Sequence, residues 1–580
     1  MTTFYGLKPI DLAMIAAYFA AVMVIGFWAS RRVKNEADFF LGGRRFGKGL
    51  LTMHWLCTGT HSEMAVQVAG ATARVGLGGI WYQWMWLFST PFYWVIAPVT
   101  RRLRVITTGD FFRIRYGRSL EVLYALVALV YLALSIALLL RGAGAAISGA
   151  TGGAVPTERS VIVLSVLFST YVVAGGLVAA AFTDVLQGVM IVALSIMLVP
   201  AGLAHVGGLS GLHHKLAPEM FSITAPAGAR EGDPLFVIMM SLLGLTGVVV
   251  QPHVMSATGS GKTETEARVG MVYGNIIKRL LTIAWAFTGL IAVAAFPEVL
   301  AGLDAHGDAY RQTSETLFGS SAQRFLGDGW RGLLVACLIA GVTSAETFMV
   351  AGSAIFTRNI YRNLTGTSAK RHDLWVGRLA SAGLLVLGIA LAFGARSVTQ
   401  LVLLSVEVIG LLGAAFWLGV TWRRANAAGV WASVLGGLAA WGALSFDRAL
   451  FRVREIETPM AILIMLAVEF GLLIVVSLLT APHSRDRLDP FFARLLTPVG
   501  QEALVEVSAA GTAWLEEAVL GLPGPPLDYQ KASRFAYQPL QARGLEIPRM
   551  NRYDWGGFLV TWALVGALVG LLVWLAGLGG

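Results

Sequence analysis

Charge is scarce in this chain. Of 580 residues only 13% are Asp, Glu, Lys or Arg, against 56% hydrophobic; ordinary soluble domains carry roughly a quarter charged residues. That shortage excludes a solvated globular enzyme. Cysteine is scarcer still, with only Cys57 and Cys337 present. Both lie inside apolar segments, which leaves no disulfide framework and reads as two small buried hydrophobes. Acidic residues are outnumbered, 34 against 44 basic, for a formal net charge of +10. The excess does not point to nucleic acid, because the arginines sit in short loops between apolar runs, where positive charge fixes the orientation of a membrane protein.

What the chain does have is apolar stretches of about 20 residues, each long enough to cross about 30 Å of hydrocarbon as a helix. The expected fold class is an all-α polytopic membrane protein with about 14 transmembrane helices. The spans fall near 10–30, 49–73, 79–99, 119–147, 159–175, 177–204, 234–255, 271–296, 329–357, 374–395, 398–421, 428–446, 459–480 and 555–577. The first is too long and too poorly flanked for a cleaved signal peptide. Basic loops follow the odd-numbered spans: Arg31 to Lys48, Arg101 to Arg118, Lys262 and Arg268, Arg358 to Arg371, then Arg423 and Arg424. This alternation predicts a multi-pass protein of the cell (inner) membrane with its N-terminus outside and these loops in the cytoplasm. Residues 481–552 are polar and hold Pro490, Pro498, Pro523, Pro525 and Pro526. They are expected to form a cytoplasmic insert of short amphipathic helices on the membrane or the protein; a plain linker and a regulatory domain are the alternatives.

Polar residues at membrane depth carry the chemistry, since they are expensive there. The second span reads His54-Trp55-Leu56-Cys57-Thr58-Gly59-Thr60-His61-Ser62-Glu63-Met64. Unwinding near Gly59 would free carbonyls for a cation and amides for an anionic solute group. The alternative is a continuous helix packed by small residues with satisfied side chains. The seventh span repeats the pattern, with Gly244, Gly247 and Pro252 as interruptions and Gln251 and His253 adding polarity. Two interrupted helices, five spans apart, mark an inverted-repeat transporter with its site at the midplane.

In the ninth span Ala340, Thr343, Ser344 and Thr347 share a helical face, with Glu346 beside it. Hydroxyls there either bond back to their own helix or supply oxygen to an alkali cation. Glu346, and Glu407 in the eleventh span, pair with a cation, hold a proton or touch the solute. Asp184 begins an apolar run, as a helix N-cap or as a negative charge at the inner mouth of a cation path. Gly259-Ser260-Gly261-Lys262-Thr263 looks like a phosphate loop, but Ser256 stands where glycine is required and no strand precedes it, so no nucleotide is expected. His54, His61 and His253 lack metal-ligand spacing. The tryptophans of Trp81-Tyr82-Gln83-Trp84-Met85-Trp86 suit the membrane interface, with Gln83 alone aimed at the site.

The chain resembles the sodium:solute symporter family, whose members carry sugars, proline, pantothenate, sialic acid and monocarboxylates. The likeness rests on Asp38-Phe39-Phe40-Leu41-Gly42-Gly43-Arg44-Arg45, Phe111-Phe112-Arg113-Ile114-Arg115-Tyr116-Gly117, Tyr171-Val172-Val173-Ala174-Gly175-Gly176-Leu177, Phe182-Thr183-Asp184-Val185-Leu186-Gln187-Gly188 and Gln251-Pro252-His253, with the ninth-span segment. It implies a LeuT-like five-plus-five inverted repeat with discontinuous helices. The implied organisation is 1–48 (first span and basic loop), 49–422 (transporter core, repeats 49–204 and 234–422), 423–480 (two peripheral spans), 481–552 (insert) and 553–580 (last span).

The resemblance further implies a sodium site built from the carbonyls of Cys57 and Thr60, the carbonyl of Ala340 and the hydroxyls of Thr343 and Ser344. Asp184 matches the family's aspartate near the sodium exit. Lys278 matches a basic residue that the family's sugar carriers place near the site, and Met64 and Gln83 fall where those carriers use polar contacts. The aromatic inner gate of those carriers falls near Leu245 and Thr246, which are not aromatic. An amino acid or organic acid is therefore expected ahead of a sugar, with Gly59, His61, Glu63, Gln251, Glu346 and Glu407 completing the solute site. The expected function is sodium-coupled symport of a small organic solute. A transporter-like sensor or regulatory subunit, and a proton-coupled carrier of the same fold, are the alternatives. No catalytic constellation is evident, and the expected partners are the solute and the lipid bilayer, with oligomeric state open.

Overall fold

Helices that stop part-way define the architecture. The computed structural model describes residues 4–31, 42–105, 107–171, 176–225, 232–301, 303, 307–341, 345–365, 370–450, 458–505 and 527–579. In chain order the main helices are α1 (Pro9–Ser30), α2 (Lys48–Thr58), α3 (Ser62–Val75), α4 (Thr90–Leu103), α5 (Thr108–Tyr116), α6 (Arg118–Ala150), α7 (Thr157–Tyr171) and α8 (Gly176–Val206). They continue as α9 (Pro234–Gly247), α10 (Pro252–Gly259), α11 (Glu264–Ala295), α12 (Asp308–Phe325), α13 (Trp330–Gly341) and α14 (Ala345–Ile355). The last are α15 (Lys370–Gly394), α16 (Val398–Gly410), α17 (Gly413–Thr421), α18 (Ala427–Leu450), α19 (Thr458–Leu479), α20 (Arg485–Leu496) and α21 (Arg552–Gly577).

Among the described residues, nine helices are long and apolar enough to cross a bilayer, and a tenth crossing is made if the bent pair α9 and α10 counts as one. The expected 14 is therefore not established by length and composition. The difference falls on the second, third, fifth and ninth expected spans, whose described helices, such as α2 and α3, are each too short to cross alone.

Local sequence explains where these helices begin. Thr107 and Asp110 cap α5 reciprocally, and Thr263 with Glu266 does the same for α11. At α1 the Asp11 carboxylate accepts the Lys8 N–H (3.0 Å) and also those of Gly329 (2.8 Å) and Gly332 (3.0 Å), and it pairs with Arg331. One side chain thus fastens α1 to the start of α13.

The long α11 backs both halves of the first interrupted helix. A Cβ at Gly274 would lie 2.8 Å from the Thr52 carbonyl oxygen, and one at Gly289 would lie 2.4 Å from that of Ala69. Glycine is what permits backbone-to-backbone contact with α2 and with α3.

The basic loops gather at one end of the bundle. Arg101 donates to the Gly261 carbonyl (3.0 Å), Arg102 pairs with Glu264 (2.8 Å), and Arg115 donates to the carbonyls of Gly419 (2.8 Å) and Trp422 (2.9 Å). The polar segment after α19 lies on this end. In its described part, α20 packs against α4 and α5, and a small core of Ala493, Leu496, Val505, Ala532 and Ala536 holds it together. Residues 506–526 of the expected insert lie outside the described residues.

Candidate functional site

Two breaks in helical structure face one cavity. The first separates α2 from α3 at Gly59–His61, as the sequence predicts. Gly59 N–H still reaches the Trp55 carbonyl (3.2 Å) and Thr60 N–H that of Cys57 (3.0 Å), closing the last turn of α2. His61 is then fully extended (φ −125°, ψ 168°) before α3 starts at Ser62. The second break lies at Gln251, between α9 and α10, where the axis turns by 60°. Gly244 does not interrupt α9; the α-helix ends at Gly247 and tightens to a 3-10 turn over Val248–Val250, and the sharp bend comes at Pro252, whose ring restrains the residue before it from helical geometry.

The cavity between these breaks holds about 770 Å³ of space between atoms. Gly59, His61, Glu63, Met64, Gln83, Gln251 and Lys278 all line it, so seven residues picked out from distant parts of the sequence converge. Lys278 Nζ stands 5.6 Å from the centre of the Trp86 ring. Arg279, beside it on α11, is bonded to the Tyr93 hydroxyl. Phe348 of α14 touches an imidazole from each break, with ring centres 5.8 Å from His61 and 5.6 Å from His253.

Several buried polar atoms here have no hydrogen-bond partner among the described residues: His61 Nδ1, Glu63 Oε2, Gln83 Oε1, His253 Nδ1, and Arg279 Nε and Nη1. Each such atom costs roughly 1–3 kcal/mol when left unmet. Gln83 spends its amide on Gln67 (2.8 Å), and the His61 ring bonds the Thr58 backbone. A neutral His61 then presents Nδ1 as an acceptor. A second cavity of about 380 Å³, almost wholly apolar, lies behind His61 between α3, α8, α13 and Trp285 of α11.

Other expected site residues fall elsewhere. Thr246 returns its hydroxyl to the carbonyls of Leu242 and Leu243 (3.0 Å each) and does not line the cavity. Glu407 is half-buried on α16, accepts from Trp441 Nε1 (2.8 Å), and is not among the lining residues either. Asp184 is not a helix N-cap: it lies inside α8, buried, and meets His54 Nδ1 at 2.8 Å. Cys57 Sγ donates to the Asp184 carbonyl (3.0 Å), so the end of α2 is bonded to α8 at this point. Thr60 is buried, and its hydroxyl meets no partner among the described residues. Thr343 and Ser344 lie outside the described residues; Ala340 and Glu346 are in α13 and α14, their side chains outside what is described.

The structure also adds lining residues that sequence reasoning passed over: Tyr93, Tyr131, Ser135, Asn275 and Arg279. Arg279 had a signal, a second charge beside Lys278 in an apolar run. The tyrosines had none, because an aromatic in a span is ordinarily packing.

The comparisons give the family and the fold. The family model described as "Sodium:solute symporter family" matches residues 39–437. The sodium/myo-inositol cotransporter 2 of Oryctolagus cuniculus is 23% identical, over 93% of this chain and 88% of its own length. The sodium/glucose cotransporter of Vibrio parahaemolyticus is 23% identical, over 75% of this chain and 84% of its own. Among solved structures, a substrate-bound, outward-open Na+-coupled sialic acid symporter superposes with a TM-score of 0.67 at 19% identity, covering 82% of this chain and 99% of that one. That likeness establishes the LeuT-like fold. The relatives named for glucose and myo-inositol give no support to the expected preference for an amino acid or organic acid over a sugar.

Proposed function

Because the chain belongs to the sodium:solute symporter family, and is a sodium-coupled membrane carrier rather than an enzyme, we propose that its central cavity carries an amino acid or organic acid. The observation behind this reading is the charge around the cavity: Lys278 and Arg279 against Glu63. A buried cationic excess of this kind is costly unless an anionic group answers it. A solute carboxylate facing Lys278 would answer it, and an ammonium or hydroxyl would meet Glu63.

The coupling ion, sodium, would bind where α2 ends, between the carbonyls of Cys57 and Thr60 and the segment Ala340, Thr343 and Ser344. Carbonyl and hydroxyl oxygens suit this hard cation. Asp184 would lie on its way out. An ion that ties the interrupted helix to the ninth span favours the conformation that binds solute, and this is the coupling. Alternating access then exposes the site to each side in turn, with the basic end of the bundle facing the cytoplasm of the cell (inner) membrane.

A second reading, a neutral polyol or sugar, is favoured by the bare acceptors His61 Nδ1 and Gln83 Oε1, which suit hydroxyl donors. A thermal-shift screen of acids, amino acids and sugars, first in sodium and then in potassium, separates the two. Uptake of the hit into proteoliposomes with and without a sodium gradient completes the test. Stabilisation by sugars alone overturns the acid reading. A hit that binds but is never accumulated supports a sensor instead of a carrier.

A further inference from the structure

At the basic end of the bundle, two groups of helix ends are bonded within themselves, and a third element grips both. In the first group, Arg101 donates to the Gly261 carbonyl (3.0 Å), Phe46 bonds the backbones of Ser260 and Lys262 (3.1 Å each), and Arg102 holds Glu264 with two bonds (2.8 and 2.9 Å). These contacts join the ends of α4, α10 and α11 to the segment entering α2. In the second group, Arg115 donates to Gly419 and Trp422, and the Tyr116 hydroxyl donates to the Ala415 carbonyl (2.7 Å), joining α5 to α17.

The gripping element is α20 with the residues that fold against it. It has one foot on the first group: Val499 N–H donates to Glu264 Oε1 (2.8 Å), and Arg104 reaches Glu502 (2.6 Å) and the carbonyls of Arg494 and Thr497. Its other foot is on the second group. Arg487 donates to the Arg113 carbonyl (2.9 Å), Arg423 pairs with Glu546 (3.0 Å) and with Asp489, and Glu546 N–H bonds the Thr421 carbonyl (2.7 Å). Phe491 and Phe492 lie against the Arg115 guanidinium, both ring centres 5.6 Å away. The element has its own apolar core between the feet, so it does not stretch easily.

We propose that this strap is a brake on opening of the carrier at its basic end. The inference rests on the alternating-access reading above. Opening a solute path there parts the first group from the second, and a stiff element bonded to both must release one foot first. The feet are single backbone bonds and ion pairs; those of Arg104 with Glu502 and Arg423 with Asp489 keep part of their surface in water and are therefore weakened by salt, whereas Glu546 is buried. The polar segment is thus part of the carrier's moving machinery, where the sequence left a plain linker or a separate regulatory domain open.

The test uses the full chain with Cys57→Ser and Cys337→Ser, carrying Ser405→Cys in the wall of the central cavity as the sole thiol. Its rate of labelling by a membrane-impermeant maleimide supplied on the basic side reports opening there without any knowledge of the solute. Glu502→Gln loosens one foot and Arg487→Gln the other. Each should raise the labelling rate at least threefold. On the chain without strap substitutions, raising potassium chloride from about 0.1 to about 1 M, which shortens the screening length from about 10 to about 3 Å, should act in the same direction. Unchanged or slower labelling in both variants and in high salt overturns the brake. Should the variants not fold, the salt series alone decides. Absence of sodium-driven uptake in the parent chain would defeat the symport reading instead, and the labelling result would stand apart from it.

Discussion

His54 Nδ1 and Asp184 Oδ2 lie 2.8 Å apart across 130 residues of sequence, both buried. The pair fastens α2, just below its break, to α8. Thr58 approaches the same imidazole at 3.3 Å. If Asp184 borders the ion's way out, Asp184→Asn should raise the sodium concentration for half-maximal uptake about tenfold, a change of about 1.4 kcal/mol. His54→Ala should instead destabilise the protein, by about 3–5 kcal/mol, because it strands a buried carboxylate. Thermal unfolding and sodium titration of both variants check this.

The sodium site itself predicts a split between two measurements. Thr343→Ala or Ser344→Ala should weaken sodium activation of uptake by a factor of roughly ten or more, about 1.4 kcal/mol, and should weaken folding far less, as read by Tm. Unchanged sodium activation in both variants removes these hydroxyls from the site.

Lys278 separates the two solute readings. A charge-assisted bond to a carboxylate is worth about 1.5–3 kcal/mol. Lys278→Gln should therefore weaken binding of an acid by at least about tenfold and leave a neutral sugar within about threefold. Thermal-shift titrations with the solute found in the screen give both affinities. Equal loss for acids and sugars argues against a carboxylate at this position.

Outside the spans, Glu315 of α12 is fully buried; it accepts the Val398 N–H at 2.8 Å and, at 3.3 Å, that of Thr399. Burial pushes its carboxyl up from 4.5 to about 7, even though Arg74 and these two N–H groups pull the other way. An acid with a raised folded value binds its proton more tightly when folded, so its contribution is complete below pH 4.5 and is lost as pH rises towards 7. The loss amounts to on the order of 3 kcal/mol. Tm should fall across this window, and Glu315→Gln should flatten the profile there.

Packing on α11 predicts a steep cost for one methyl group. Gly289→Ala puts a Cβ 2.4 Å from the Ala69 carbonyl oxygen, whereas Gly383→Ala meets nothing within 4 Å. The first should destabilise by about 1–3 kcal/mol and the second should not. Comparison of the two Tm values isolates backbone contact from helix propensity.

Much of this architecture was legible because broken helices and buried charges leave marks in sequence. Gly59 among hydroxyls and Pro252 after Gln251 located both breaks, and the cavity gathered seven of the expected solute residues. What sequence could not supply was direction. Glu407 and Thr246 lie in spans at plausible depth, but helical phase turns the first towards Trp441 and lets the second bond its own helix. Spacing alone also made Asp184 a possible cap, since only the tertiary contact with His54 reveals its surroundings. The strap was legible as amphipathic pieces, but its footholds join residues hundreds of positions apart, such as Arg104 and Glu502.

The glycines of α11 bear on where the carrier can bend. An interruption such as Gly59–His61 looks like a natural joint. But one continuous helix lies in backbone contact with the chain on both sides of it, at Gly274 and at Gly289, much as a splint lies across a fracture. The two pieces and their splint must then travel as one rigid lever. The flexing that admits and discharges cargo would then belong at the edges of that lever, and the interruption would be left free to hold ion and solute in a fixed grip.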